Sequence, residues 1–137
     1  MPRLTSEVTV DWDFDKHNPC WLAIRLLKAI HFLNTYNIPH LIFLTGQGIH
    51  IKIYTDPDMD PWAHIKLRTY LNDDFNRLAL DIARISGRAK IWNILFTWRF
   101  KRYAKVKKSR ETLLNTKDIE QVLNYLIEKC EEKVKNH

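Results

Sequence analysis

Cysteine is scarce in this chain: Cys20 and Cys130 are the only two among 137 residues, far apart and without a C-x-x-C pair. A disulfide scaffold and a four-ligand zinc knuckle are set aside on that count, and a reducing cytoplasm is the expected compartment. Glycine is scarce too, with three residues, two of them at Gly46 and Gly48. No uninterrupted apolar run approaches the roughly 20 residues of a membrane-spanning helix, so no membrane partner is expected. The stretch MPRLTSEVTVDWDFD lacks an apolar core followed by a small-residue cleavage site, and no secretory signal is read there. What is present is ordinary globular composition, 45% hydrophobic and 28% charged, over a length suited to a single domain spanning 1–137.

Acid is missing from one long stretch. Residues 82–110 carry ten basic side chains and no Asp or Glu, whereas the rest of the chain has twelve basic against sixteen acidic residues. Arg99, Lys101, Arg102, Lys105, Lys107 and Lys108 are interleaved there with Trp92, Phe96, Trp98, Phe100 and Tyr103. Cations of this density neutralise phosphates, and the rings offer surfaces for base stacking, so single-stranded nucleic acid is the expected partner.

Periodicity divides the chain into elements. Glu7–Phe14 alternates polar and apolar residues, the mark of a half-buried strand. Asn18 and Pro19 start a helix to about Asn34, with Ala23, Leu26, Leu27, Ile30 and Leu33 on one face. His40–Leu44 reads as a buried strand, and Thr45–Gly48 turns into Ile49–Tyr54, which makes a hairpin. A helix is predicted from about Trp62 to Leu78, strands over Ile91–Phe100 and Tyr103–Val106, and a last helix over about 116–135 with Thr116 and Glu120 as its cap. The order β-α-β-β-α-β-β-α implies an α+β domain with a mainly antiparallel sheet, to which segment 82–110 and the last helix both belong.

Three places carry chemistry. Asp11 and Asp13, two apart on a strand, leave the same face, with Val10, Trp12 and Phe14 on the other, and Asp15 extends the series. Neighbouring carboxylates repel unless a cation lies between them, which points to Mg²⁺ or Mn²⁺. In Thr45-Gly46-Gln47-Gly48-Ile49-His50, glycine permits close approach of backbone N–H groups to a phosphate, and His50 starts the outgoing strand with Lys52 on the same face. Asp81 sits in an apolar stretch, where a carboxylate needs either Arg84 or Arg88 as a partner or a metal.

Taken in order, Val10-Asp11-Trp12-Asp13, the Thr45–His50 turn and Leu80-Asp81 resemble the hDhD, glycine–histidine and hD motifs of the archaeo-eukaryotic primase superfamily, over roughly residues 8–90. The resemblance implies an RRM-like primase catalytic core and template-dependent nucleotidyl transfer from nucleoside triphosphates. It implies Asp11, Asp13 and Asp81 as catalytic ligands of two Mg²⁺ or Mn²⁺ ions. Thr45, Gly46, Gly48, His50, Lys52, Arg84, Arg88 and Lys90 would bind the nucleotide, and a larger primase or helicase subunit would be a partner. The segment Arg84-Ile85-Ser86-Gly87-Arg88-Ala89-Lys90 keeps the family's glycine and charges but lacks its proline. Two other readings stand beside this one. A non-catalytic, nucleic-acid-binding primase-like subunit would keep the fold alone. A rolling-circle replication endonuclease would use Tyr125 in its Y-x-x-x-K spacing, although Lys52 stands where that chemistry needs a second histidine.

Overall fold

The computed structural model describes residues 7–56, 58–86 and 111–135. Among them the chain is α+β, with strands β1 (Glu7–Asp13), β2 (His40–Leu44), β3 (Gly48–Tyr54) and β4 (Thr112–Leu113). The helices are α1 (Pro19–Thr35), α2 (Pro61–Tyr70), α3 (Phe75–Ile85) and α4 (Thr116–Lys135). The four strands form one antiparallel sheet in the order β1-β3-β2-β4. Since β1 and β2 both run opposite to β3, they are parallel to each other, and α1 makes the crossover of a split β-α-β unit. The expected RRM-like order needs a further strand after the second helical segment; the stretches assigned to it, 91–100 and 103–106, lie outside the described residues.

Strand alternation sorts the two sheet faces. Val8, Val10 and Trp12 of β1 and Ile49, Ile51 and Ile53 of β3 have no exposure, and with Ile42 they pack against Leu22, Ala23, Leu26, Ala29 and Leu33 of α1 and Leu126 of α4. Burying each of the Val, Leu and Ile side chains contributes about 1.5–3 kcal/mol relative to leaving it in water. The α1 stripe is turned by about one residue from the expected one: Ala29 faces the core and Leu27 faces solvent. Thr9, Asp11 and Asp13 lie on the opposite sheet face, beside Lys52, His50 and Gly48 in register.

The helix ends follow turn chemistry. Asn18 caps α1, its side chain accepting the Trp21 N–H at 2.8 Å, with Pro19 in the first turn. Asn37 (φ 53°) ends α1 and Asn72 (φ 60°) ends α2, and in each case the next N–H reaches back to the helix: Ile38 to Leu33 O at 2.8 Å, Asp73 to Arg68 O at 2.9 Å. Asn72 therefore splits the helix expected over 62–78 into α2 and α3. The cap of α4 is the reciprocal pair Asn115 and Asp118 rather than Thr116 and Glu120.

The expectation that no disulfide staples the chain is corrected. Cys20 of α1 and Cys130 of α4 form a disulfide, with Cα atoms 4.7 Å apart and 110 positions between them in sequence. The long separation hid it, because only the packing of α1 against α4 brings the two thiols together. Closing so long a loop removes denatured-state entropy worth about 4–5 kcal/mol in the chain-entropy model. Reduction with a phosphine, or Cys130→Ser, is expected to lower Tm on the order of 10 °C, read by calorimetry, with the far-ultraviolet dichroism of the folded state unchanged.

Candidate functional site

The polar sheet face begins at β1. The Asp11 N–H points outward from the sheet and is donated to Asp73 Oδ1 at 2.9 Å, so Asp11 and His50 face each other as a close pair without ladder bonds between them. His50 Nε2 lies 2.9 Å from Asp11 Oδ1, and its Nδ1 lies 3.1 Å from Glu111 Oε1. Lys52 Nζ reaches Glu111 Oε2 at 3.2 Å and sits 4.7 Å over the Phe43 ring. Burial pulls the His50 pKa down, but contact with Asp11 and its charge, then Glu111, outweigh it, and the value stands above the ordinary 6.5. Asp11, Asp13, His50 and Lys52 thus share one face, as strand alternation required.

A second set of charges surrounds the turn between α2 and α3. Asp74 caps α3 through the Arg77 N–H at 3.0 Å and binds Lys16 Nζ at 2.6 Å; the same ammonium lies 4.0 Å from Asp13 Oδ2. Arg77 Nη1 lies 3.5 Å from Asp11 Oδ2 and 3.9 Å from Asp73 Oδ1. Desolvation and then the charge of Asp11 raise the Asp13 pKa, with Lys16 opposing and Asp74 adding to the rise. At Asp74 burial pushes upward, but the Lys16 hydrogen bond and the Arg77 N–H hold the carboxyl below its usual value. Asp11, Asp13 and Asp74 are linked through these shared cations.

Asp81 belongs to a different environment. It has no exposure; Oδ2 accepts from Arg68 Nη1 at 2.6 Å and Oδ1 from Arg84 Nη1 at 2.9 Å. Arg68, equally buried, also donates from Nε to Asp73 Oδ2 at 2.7 Å. A metal at Asp81 would have to displace both guanidiniums, and Arg84, expected to meet a nucleotide, is occupied by this pair. The salt bridge weighed from sequence is the arrangement found.

The glycine turn is also internally employed. Thr45 Oγ1, in a buried residue, accepts the N–H groups of Gln47 and Gly48 at 3.1 and 3.0 Å. Gly48 is required by crowding: a Cβ there would meet the Trp12 carbonyl oxygen at 2.0 Å, whereas one at Gly46 would meet nothing within 4 Å. Two N–H groups expected to cradle a phosphate therefore face a hydroxyl. Arg88, Lys90, Arg99, Lys101, Arg102, Lys105, Lys107 and Lys108 lie outside the described residues. Tyr125 is exposed on α4, with Lys129 Nζ 5.7 Å from its ring.

Sequence reasoning missed Lys16, Arg68, Asp73, Asp74, Arg77 and Glu111. The triplet Asn72-Asp73-Asp74 is turn and cap composition, and it was the available signal. Among the described residues no three His, Cys, Asp or Glu side chains are drawn together as a ready metal site, and no helix is long and apolar enough to cross a membrane. Compared with known proteins, the chain matches no family model, no curated protein and no solved structure.

Two outcomes follow from these environments. Asp81→Asn leaves the buried Arg68 and Arg84 guanidiniums one carboxylate short and is expected to cost about 3–5 kcal/mol in urea unfolding. The His50 contribution has the opposite pH sense to that of a paired carboxylate. With its folded pKa raised, the stability it adds is fully present below pH 6.5 and fades as pH rises through the elevated value. The Tm gap between wild type and His50→Gln should be widest below pH 6.5 and narrow above it.

Proposed function

We propose that this chain is a template-dependent nucleotidyltransferase of the primase type, joining nucleoside triphosphates with Mg²⁺ or Mn²⁺, in which Asp74 rather than Asp81 completes the set begun by Asp11 and Asp13. The observation that carries the reading is the Lys16 ammonium, shared by Asp74 at 2.6 Å and Asp13 at 4.0 Å. A cation already occupies the position where these carboxylates need one. One further feature fits a metal. The Asp13 pKa is raised by desolvation and then by Asp11, so this carboxylate gains from added positive charge.

Bound divalent cations would supply the charge that acidifies a 3′-hydroxyl and stabilises departing pyrophosphate. Asp11 and Asp13, fixed on a sheet strand, and Asp74, fixed at a helix cap, would hold them. His50 and Lys52 on the same face would meet the triphosphate, and the 82–110 block would grip a single-stranded template. The proposed location is the cytoplasm, where the half-buried Cys20–Cys130 bond would have to resist cellular thiols.

A second reading has its own support. Thr45 consumes two N–H groups of the glycine turn, and Arg68 and Arg84 consume Asp81. Both favour a non-catalytic nucleic-acid-binding module working beside a larger primase or helicase subunit. Mn²⁺-dependent incorporation of nucleotides on a single-stranded template separates the two. Asp13→Asn and Asp74→Asn are each expected to lower the rate about 100-fold or more, the scale of losing one electrostatic contact at a reacting phosphate. Full activity in Asp74→Asn would reject the third-ligand assignment, and no incorporation by wild type would favour the binding module.

A further inference from the structure

We infer that Glu111 is a built-in occupant of an anion site formed by His50 Nδ1 and Lys52 Nζ, and that phosphoryl groups enter this site by displacing it. The inference rests on the proposed nucleotidyl transfer only for the identity of the anion as a nucleoside triphosphate.

The geometry is that of a two-pronged anion receptor. His50 and Lys52 stand two residues apart on β3, so both side chains leave the same face. Their nitrogens do not share one oxygen of Glu111: Nδ1 takes Oε1 at 3.1 Å and Nζ takes Oε2 at 3.2 Å. A phosphoryl group likewise presents two oxygens from one centre, so the fork that holds the carboxylate also fits a phosphate. The receptor half is rigid. β3 is the central strand between β1 and β2, and Lys52 is steadied over the Phe43 ring, which lies directly across from His50.

The occupant half is the more exposed one. Glu111 directly precedes β4, a strand of two exposed residues that pairs with β2 at Leu44 and Phe43, and Leu114 beyond it is buried and donates its N–H to Ile42 O at 2.9 Å. The Glu111 side chain keeps 32% of its exposure, so water can take over its hydrogen bonds when it leaves. Ion pairs of such exposure contribute little to stability, whereas a polyphosphate brings several charges to the same two donors. The expected order of affinity is therefore polyphosphate above Glu111 above water.

Titration with inorganic tripolyphosphate, without metal or template, tests this by calorimetry. Glu111→Gln keeps the side-chain shape and removes the competing charge, so it should bind on the order of 5-fold tighter than wild type. Glu111→Ala should behave alike, and adding Lys52→Gln to either should reverse the gain. Tm of each variant confirms folding. Unchanged or weaker binding in both folded Glu111 variants would overturn the inference, even if wild type polymerises nucleotides. Tighter binding in the Glu111 variants upholds the anion site even if no variant transfers nucleotides, an outcome that rejects only the proposed function.

Discussion

The Arg68 guanidinium is the constraint on which the polar half of this molecule depends. It has no exposure and is clamped between Asp73 at 2.7 Å and Asp81 at 2.6 Å. Taking an ion from water costs several kcal/mol, and only well-placed partners offset it. The three residues come from the end of α2, the α2–α3 turn and the body of α3, so the pairing fixes how those segments meet. It also reaches the sheet. The other oxygen of Asp73 accepts the Asp11 N–H, which occupies an outward donor on the edge of β1 and aligns the strand that bears Asp11 and Asp13. The next residue, Asp74, is then fixed at the start of α3, within reach of Lys16. Trp12 adds a second tie, donating its indole N–H to Leu71 O at 3.0 Å in the same turn.

The apolar half depends on a different constraint, the close approach of β1 and β3. Gly48 lies so near the Trp12 carbonyl that no side chain fits, and this contact brings the end of β1 against the hairpin turn. Thr45 closes the turn from inside with its hydroxyl, and Phe14 extends the contact by donating its N–H to Gln47 O at 2.8 Å. A glycine read from sequence as a phosphate cradle has, in this packing, a sufficient reason in strand contact alone. The disulfide then fastens α4 to α1 on this apolar side of the sheet.

What the sequence could reveal was whatever depends on short-range pattern. β1, the β2–β3 hairpin, the Asn18–Pro19 start of α1 and the span of α4 were legible, because period 2, period 3.6 and cap residues are local signals. The shared face of Asp11, Asp13, His50 and Lys52 was legible for the same reason. The α2–α3 break was not, since Leu67, Leu71, Phe75 and Leu78 continue a helical spacing straight through Asn72, and Phe75 proves 80% exposed. Asp81 was legible as a buried acid needing a partner. Arg68, thirteen positions earlier, could be named only once two helices were packed. Cys20 with Cys130 and Glu111 with His50 are of the same kind, long-range pairs that no local spacing encodes.

The two proposed ligand sites share one feature, since each holds an internal counter-ion of the sign it would exchange. The carboxylates Asp13 and Asp74 hold the Lys16 ammonium, and the His50 imidazole and Lys52 ammonium hold the Glu111 carboxylate. Without such partners, clustered like charges on a half-buried sheet face would oppose folding; at Asp13 desolvation first and the charge of Asp11 second keep the pKa raised even with Lys16 nearby. Neutralisation by surface side chains relieves that repulsion at small gain in stability, because exposed pairs contribute about 0–1 kcal/mol. Small gain is what a site for exchangeable ions requires. A deeply buried counter-ion, such as Arg68 between Asp73 and Asp81, could not be given up without unfolding its surroundings. The contrast between these two classes of ion pair assigns Asp74 to the surface set and Asp81 to the framework, and it does so from burial and partners alone.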